Sequence, residues 1–447
     1  MSKSFFFVET GKCFGIRADA VWLAYSPLNG TAFLVDREEK AALEKECDNL
    51  SDSPAEKSPG AQALLRPPTR PIMRIPKTWN DVYEIDILLN FKCNFHCVYC
   101  YSAAGRSDTT LTWGKAKSLL DFLFSDRHAA KHPYRINFSG GGEPTISFDM
   151  VRRITDYIEK RSAISGHKFE LAMVTNGSLL NPDIMDYIAA HKIRLVLSFE
   201  ILERFQNAER GQYAAVASNL DELLRRNADF GVRATLTRNS APAMPEMIEE
   251  IHTRFPRLTS VVFDTVLAPA LFPAPDDLSD YYEKFFDYLV KAQALGDKYG
   301  INVGGPFSQL LGFQRERTCL GKIVLTPEGF FSMCSRVSSH KEKLFDDFIY
   351  GKIDTDSNLV IDDYKFNRLM NENTIEANPE CKNCFARWNC GGGCRLFSLT
   401  FPPAFFPVFC EFQRKGLIHE ILAKLEKQFF KETGHSLREH IRKLSIS

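Results

Sequence analysis

The chain has 447 residues, 44% of them hydrophobic and 25% charged, which excludes a disordered, collagen-like or coiled-coil chain and fits a globular protein of several domains. Its 56 basic and 56 acidic side chains cancel, so charge gives no reason to expect a nucleic-acid or anionic-membrane partner. No apolar run approaches the about 18 residues of a membrane span, and the short Phe-rich run near the N-terminus cannot form a signal-peptide core. The expected compartment is therefore reducing and cytoplasmic, where disulfides are rare.

In chain order, residues 4–9, 13–17 and 21–24 read as short strands, with Asn29-Gly30 as a turn signal. A charged helix is expected over 37–47. Residues 49–76 are rich in Pro, Ser and Gly and read as a linker. Strands at 82–89, 134–138, 169–174, 193–199, 232–237 and 260–265 then alternate with helices at 113–124, 148–160, 182–190, 213–228, 244–255 and 278–298. Such βα repeats predict an α/β fold: a parallel sheet with helices outside, curled into a partial or full barrel. Sites in such folds sit on the loops after the strand C-termini. The expected organisation is a small α+β extension at 1–48, a linker at 49–80, the α/β core at 81–300, and a cysteine-rich unit at 301–447.

The twelve cysteines are clustered. Cys13 and Cys47 stand alone and read as packing residues. Cys93, Cys97 and Cys100 share one short loop just after the first core strand. None follows until Cys319, and then Cys334, Cys381, Cys384, Cys390, Cys394 and Cys410 crowd into the C-terminal third. Without disulfides, metal ligation is the default for such clusters. Three thiolates on one loop suit a [4Fe–4S] cluster with one iron left open for a small molecule. Structural zinc would need a fourth ligand, for which His96 is a candidate.

The spacing Cys-x3-Cys-x2-Cys, with Tyr99 before its last cysteine, resembles the signature of the radical S-adenosylmethionine (radical SAM) family. The resemblance implies a partial (β/α)6 TIM-like barrel in which the open iron chelates the methionyl moiety, with Tyr99 near the adenine. Gly140-Gly141-Gly142-Glu143 follows the second strand and resembles the motif that meets the methionyl amino group. Asn176 after strand three, Ser198 and Glu200 at the end of strand four, and Arg210 resemble the remaining cofactor contacts. Ser198 and Glu200 share one strand face, Glu200 toward the ribose. Arg210 would pair with the methionyl carboxylate.

The seven later cysteines resemble the SPASM extension of this family, which implies two auxiliary [4Fe–4S] clusters. The resemblance, not the spacing, puts Cys319, Cys334 and Cys394 on one and Cys381, Cys384, Cys390 and Cys410 on the other. A zinc ribbon or treble clef is the alternative. Phe313 stands where some relatives supply an additional ligand. Ser335 follows Cys334, where anaerobic sulfatase maturases carry an Asp, which argues against formylglycine formation.

The function implied is radical modification of a ribosomally made precursor peptide, such as a thioether or other crosslink. The N-terminal strands would capture the leader by strand addition, and flavodoxin or ferredoxin would donate electrons. A small-molecule substrate and a non-catalytic zinc protein are the alternatives. Glu143, Asp264 and Tyr101 are candidates to line the cavity, and the Phe-rich stretch 397–409 to cover the second auxiliary site.

Overall fold

The structure, a computed structural model, describes residues 4–49, 56–125, 128 and 132–444. At the N-terminus β1 (Phe6–Glu9), β2 (Trp22–Ser26) and β3 (Thr31–Val35) form an antiparallel sheet with β2 in the middle. The strand expected at 13–17 is instead a single 3-10 turn, Gly11–Phe14, closed by Gly15 at φ +75°. The helix α1 (Arg37–Asp48) starts on a capping box between Asp36 and Glu39, which satisfies two otherwise unpaired N–H groups.

The predicted linker is only partly a linker. Its residues 50–55 lie outside the described residues, but the rest contains α2 (Pro59–Leu65) and β4 (Ile72–Met73). The Pro and Ser that signalled a linker are here a helix start: Ser58 caps α2 and Pro59 occupies its first turn. Ala61 and Leu64 then bury against Val35, Leu43 and Cys47.

The core elements fall close to their expected places. They are β5 (Glu84–Ile87), α3 (Trp113–Leu123), β6 (Tyr134–Phe138), α4 (Phe148–Ser165), β7 (Phe169–Thr175), α5 (Pro182–Ala190), β8 (Arg194–Ser198), α6 (Glu203–Glu209), α7 (Tyr213–Arg225), β9 (Phe230–Leu236), α8 (Met244–Arg254), β10 (Ser260–Thr265) and α9 (Pro275–Tyr299). Strands β5 to β10 lie side by side in sequence order, all parallel. Alternate residues such as Leu171, Met173, Leu195 and Leu197 pack in the hydrophobic core with the helices. The residues between them, including Asn137, Ser198, Thr235 and Asp264, are half-buried on the opposite face.

The sheet continues across the expected boundary at residue 300. The strand β11 (Asn302–Gly304) extends it beyond β10, while β12 (Gln314–Arg315) pairs with β4. The strand β13 (Ile323–Leu325) joins parallel to β5. A meander of β14 (Phe330–Ser332), β15 (Ile349–Ile353) and β16 (Leu359–Ile361) completes an open sheet of eleven strands, with α10 (Phe345–Phe348) just before β15. The chain ends in α11 (Asp363–Asn371), α12 (Arg387–Cys390), α13 (Arg395–Thr400), α14 (Phe406–Thr433) and α15 (Leu437–Leu444). Among the described residues, no helix is long and apolar enough to cross a membrane.

The N-terminal sheet packs on the C-terminal region. The buried Tyr25 hydroxyl donates to Asn389 Oδ1 at 2.9 Å, and Asn389 Nδ2 donates to the Leu310 carbonyl at 2.8 Å. Leu23 and Tyr25 join the hydrophobic cluster that holds Phe385, Phe397 and Phe401.

Candidate functional site

The loop carrying Cys93, Cys97 and Cys100 leaves β5 and is fastened to the glycine loop that leaves β6. The Gly142 and Glu143 N–H groups donate to the carbonyls of Asn90 and Lys92 at 2.9 and 2.7 Å. A Cβ at Gly142 would stand 1.8 Å from the Lys92 oxygen, so only glycine fits. Gly141 packs against Asn90 and Phe91, and Gly140 faces Ser335. The close approach these glycines permit is thus to the cysteine loop and to the segment carrying Cys334.

Glu143 is buried and fully engaged. Its Oε1 accepts from Thr145 Oγ1 and Thr175 Oγ1 at 2.6 Å, and its Oε2 accepts from the Asn176 N–H at 2.8 Å. It therefore locks the ends of β6 and β7 together rather than facing the cavity. Asn176 Nδ2 in turn donates to Asn94 Oδ1 at 2.9 Å, inside the cysteine loop.

Tyr99, Glu200 and Arg210 converge on one another. The Tyr99 hydroxyl donates to Glu200 Oε1 and accepts from Arg210 Nη1 at 3.2 Å. Glu200 is 0% exposed, and burial pushes its carboxyl up to about 7, against the opposing pull of Arg210. Burial also raises the Tyr99 phenol, with Glu200 adding to it. Glu200 Oε2 and Arg210 Nε are buried without a hydrogen-bond partner. Arg210 and Glu200 also form an ion pair at 3.7 Å, and an unpaired acceptor and donor so close together leave room for a polar ligand. Just beyond, Ile201 holds φ +62°, a costly conformation for a β-branched residue and one found where a site imposes it. Ser198, half-buried, ends β8 two residues before Glu200.

The seven later cysteines gather into two groups. Burial raises the Cys334 thiol to about 12, and its thiol neighbours are Cys319 and Cys394. Burial raises Cys390 to about 12 as well, and its neighbours are Cys410, Cys381 and Cys384. Those last four line one pocket with Phe409 and Arg414. Successive left-handed glycines, Gly391 to Gly393, turn the chain from Cys390 to Cys394. Thr318 Oγ1 donates to the Cys390 carbonyl at 2.6 Å, drawing Cys319 alongside. Of the Phe-rich stretch, Phe409 faces the pocket, while Phe397, Phe401 and Phe405 are hydrophobic core. Phe313 is largely exposed.

These thiols fit iron–sulfur ligation. Thiols raised this far ionise only beside a strong counter-charge. A single zinc would draw its sulfurs to about 3.8 Å of one another. Among the described residues, the only trio of His, Cys, Asp and Glu ligand atoms lying within 4.8 Å is the surface group Asp156, Glu159 and His191. Among the described residues no three cysteine sulfurs lie that close together.

Tyr101 joins the two regions. Its side chain is 43% exposed, yet burial raises its phenol, and Arg336, Cys100, Cys334 and Asp86 are its titratable neighbours. The Arg336 guanidinium lies 5.2 Å from its ring. The sheet face below carries Arg233 paired with Asp264 at 3.0 Å and Lys322 paired with Asp86 at 3.0 Å. Sequence patterns did not single out Asp86, Lys322, Arg106 or Arg414. Asp86 and Lys322 pair across the chain, Arg106 answers a thiol and two carbonyls, and Arg414 also pairs with nearby Glu411.

Residues 87–252 match the Radical SAM superfamily, so the chain carries a radical SAM domain. Over 164 residues it is 27% identical to an uncharacterized protein of Methanocaldococcus jannaschii, covering 35% of this chain and 54% of that one. It is 23% identical over 186 residues to the radical SAM cyclopropyl synthase TigE of Paramaledivibacter caminithermalis, covering 38% and 39%. It is 31% identical over 131 residues to the S-adenosylmethionine-dependent nucleotide dehydratase of Pseudoalteromonas ulvae, covering 26% and 40%. The matches thus span about half or less of these curated relatives. The solved structure of native anSMEcpe with bound AdoMet superposes with a TM-score of 0.60 at 17% identity, covering 76% of this chain and 98% of that one. The fold is therefore shared well beyond residues 87–252.

Proposed function

We propose that the protein is a radical SAM enzyme with a SPASM-type C-terminal region that modifies a precursor peptide, forming a thioether or other crosslink. The observation that carries this reading is the convergence of ten cysteines into groups of three, three and four. Cys93, Cys97 and Cys100 would hold the cluster that binds S-adenosylmethionine. Cys319, Cys334 and Cys394 would hold one auxiliary cluster, and Cys381, Cys384, Cys390 and Cys410 the other. When bound, S-adenosylmethionine and its cluster supply one-electron cleavage to a 5′-deoxyadenosyl radical that abstracts hydrogen from carbon.

The chain's own residues bind and orient. Glu200 Oε2 offers an acceptor for ribose hydroxyls, and the Arg210 guanidinium a donor for the methionyl carboxylate. Tyr99 holds the two in register, with Asn176 and Ser198 beside them. Gly140, Gly141, Gly142 and Glu143 fix the loop on which the first three cysteines stand. The N-terminal sheet, with β1 paired on one side only, offers an edge for a leader peptide. A small reducing protein such as flavodoxin or ferredoxin would supply electrons in a cytoplasmic setting.

A small polar substrate is the second reading, favoured by the charged pairs Arg233–Asp264 and Lys322–Asp86 on the sheet face below the site. Protein purified without oxygen should carry about twelve irons. It should release 5′-deoxyadenosine with dithionite and S-adenosylmethionine. Zinc without iron would refute both readings. A peptide encoded beside the gene that loses hydrogens in the reaction supports the first. Turnover of small metabolites with no change in such peptides supports the second.

A further inference from the structure

Arg106 lies beyond the cysteine loop and reaches back into it. Its Nη2 donates to Cys100 Sγ at 3.4 Å, and its Nη1 donates to the carbonyls of Cys93 and Phe95 at 3.3 and 3.1 Å. One guanidinium thus ties the start of the loop to its last thiol. Its Nε is enclosed without a hydrogen-bond partner. Among the described residues no carboxylate pairs with it, and the groups that favour its charge are Cys100 and Cys93. A guanidinium is always charged, and a half-buried one without a carboxylate calls for another anion. The three thiolates of this loop are the anion at hand.

We propose that Arg106 sets the reduction potential of the cluster held by Cys93, Cys97 and Cys100. The proposal rests on the iron–sulfur reading above. Reduction adds one electron, taken from an external donor, and hence one negative charge to the cluster. A donated N–H and a fixed positive charge beside its sulfur favour the reduced form and raise the potential. Arg106 is thereby a positioning and tuning residue that acts through the cluster.

The test is a dithionite titration of anaerobically purified protein, followed by electron paramagnetic resonance. The signal read is the one that changes on adding S-adenosylmethionine, which separates this cluster from the others. Arg106→Gln is expected to keep that signal and weaken its reduction equilibrium about tenfold, about 59 mV for a one-electron couple. Arg106→Lys keeps the charge without the fork and is expected to fall between. An unchanged midpoint in Arg106→Gln overturns the proposal. Loss of the signal together with its iron in both variants assigns Arg106 to holding the loop, and overturns it too. Iron-free unaltered protein would instead refute the underlying cluster reading.

Discussion

The most telling single residue is Glu200. A carboxylate with no exposure, one oxygen committed to Tyr99 and the other unpaired, is expensive to hold in a folded protein without a ligand. The sign of its pH effect follows. Its folded value of about 7 lies above the ordinary 4.5, so its contribution to stability is fully present below pH 4.5 and is lost as pH rises through 7. The cluster-free protein should therefore lose up to about 3 kcal/mol between those limits from this group alone. Glu200→Gln should flatten that slope in chemical unfolding at a series of pH values, and an unchanged slope would contradict it. Glu200 was legible in the sequence through the resemblance of Ser198-Phe199-Glu200 to the family's strand-four motif. Its tie to Tyr99 was not, since the two are 101 positions apart.

At the scale of elements, the glycine loop and the N-terminal sheet carry separate predictions. Gly142→Ala would drive a methyl into the Lys92 carbonyl, and the loop must move to escape it. The expected cost is about 1–3 kcal/mol. It should come with loss of roughly the four irons of the first site, measured by iron analysis, while the auxiliary irons stay. The N-terminal sheet is anchored by Tyr25. Tyr25→Phe removes one buried hydrogen bond and leaves Asn389 Oδ1 unpaired, which should cost about 1–3 kcal/mol, read as a lowered unfolding midpoint. The core strands were legible because period-two and period-3.6 patterns alternate cleanly there. The turn at Gly11–Phe14 was not, because Cys13, Phe14 and Ile16 mimic a strand while Gly11 and Gly15 bend it. The helix α2 hid in a Pro- and Ser-rich stretch because the residues that cap a helix are those that mark a loop.

For the whole molecule, the eleven-stranded sheet makes the cysteine-rich C-terminal region a continuation of the core through β13. This seats Cys334 across from the first cysteine loop, with Tyr101 between them. Replacing both Cys319 and Cys334 by Ala should remove about four irons. It should leave 5′-deoxyadenosine release largely intact and abolish modified product, as followed by mass spectrometry. Product formed at the normal rate would exclude a catalytic role for that site.

What the sequence alone displayed was the clustering of ten cysteines and the parallel αβ order that presents them, which follow from local spacing and periodicity. The ligand sets and the residues at the ends of strands three and four came from the resemblance that those motifs carry. Only the tertiary structure brings the seven later cysteines, which spacing alone cannot divide, beside their neighbours, because neighbours such as Cys334 and Cys394 are far apart in the chain. It also decided that Glu143 braces two strands, and that Arg106 answers a thiol rather than a carboxylate. Such pairings are set by burial and by distance in space, and neither is written in the order of the residues.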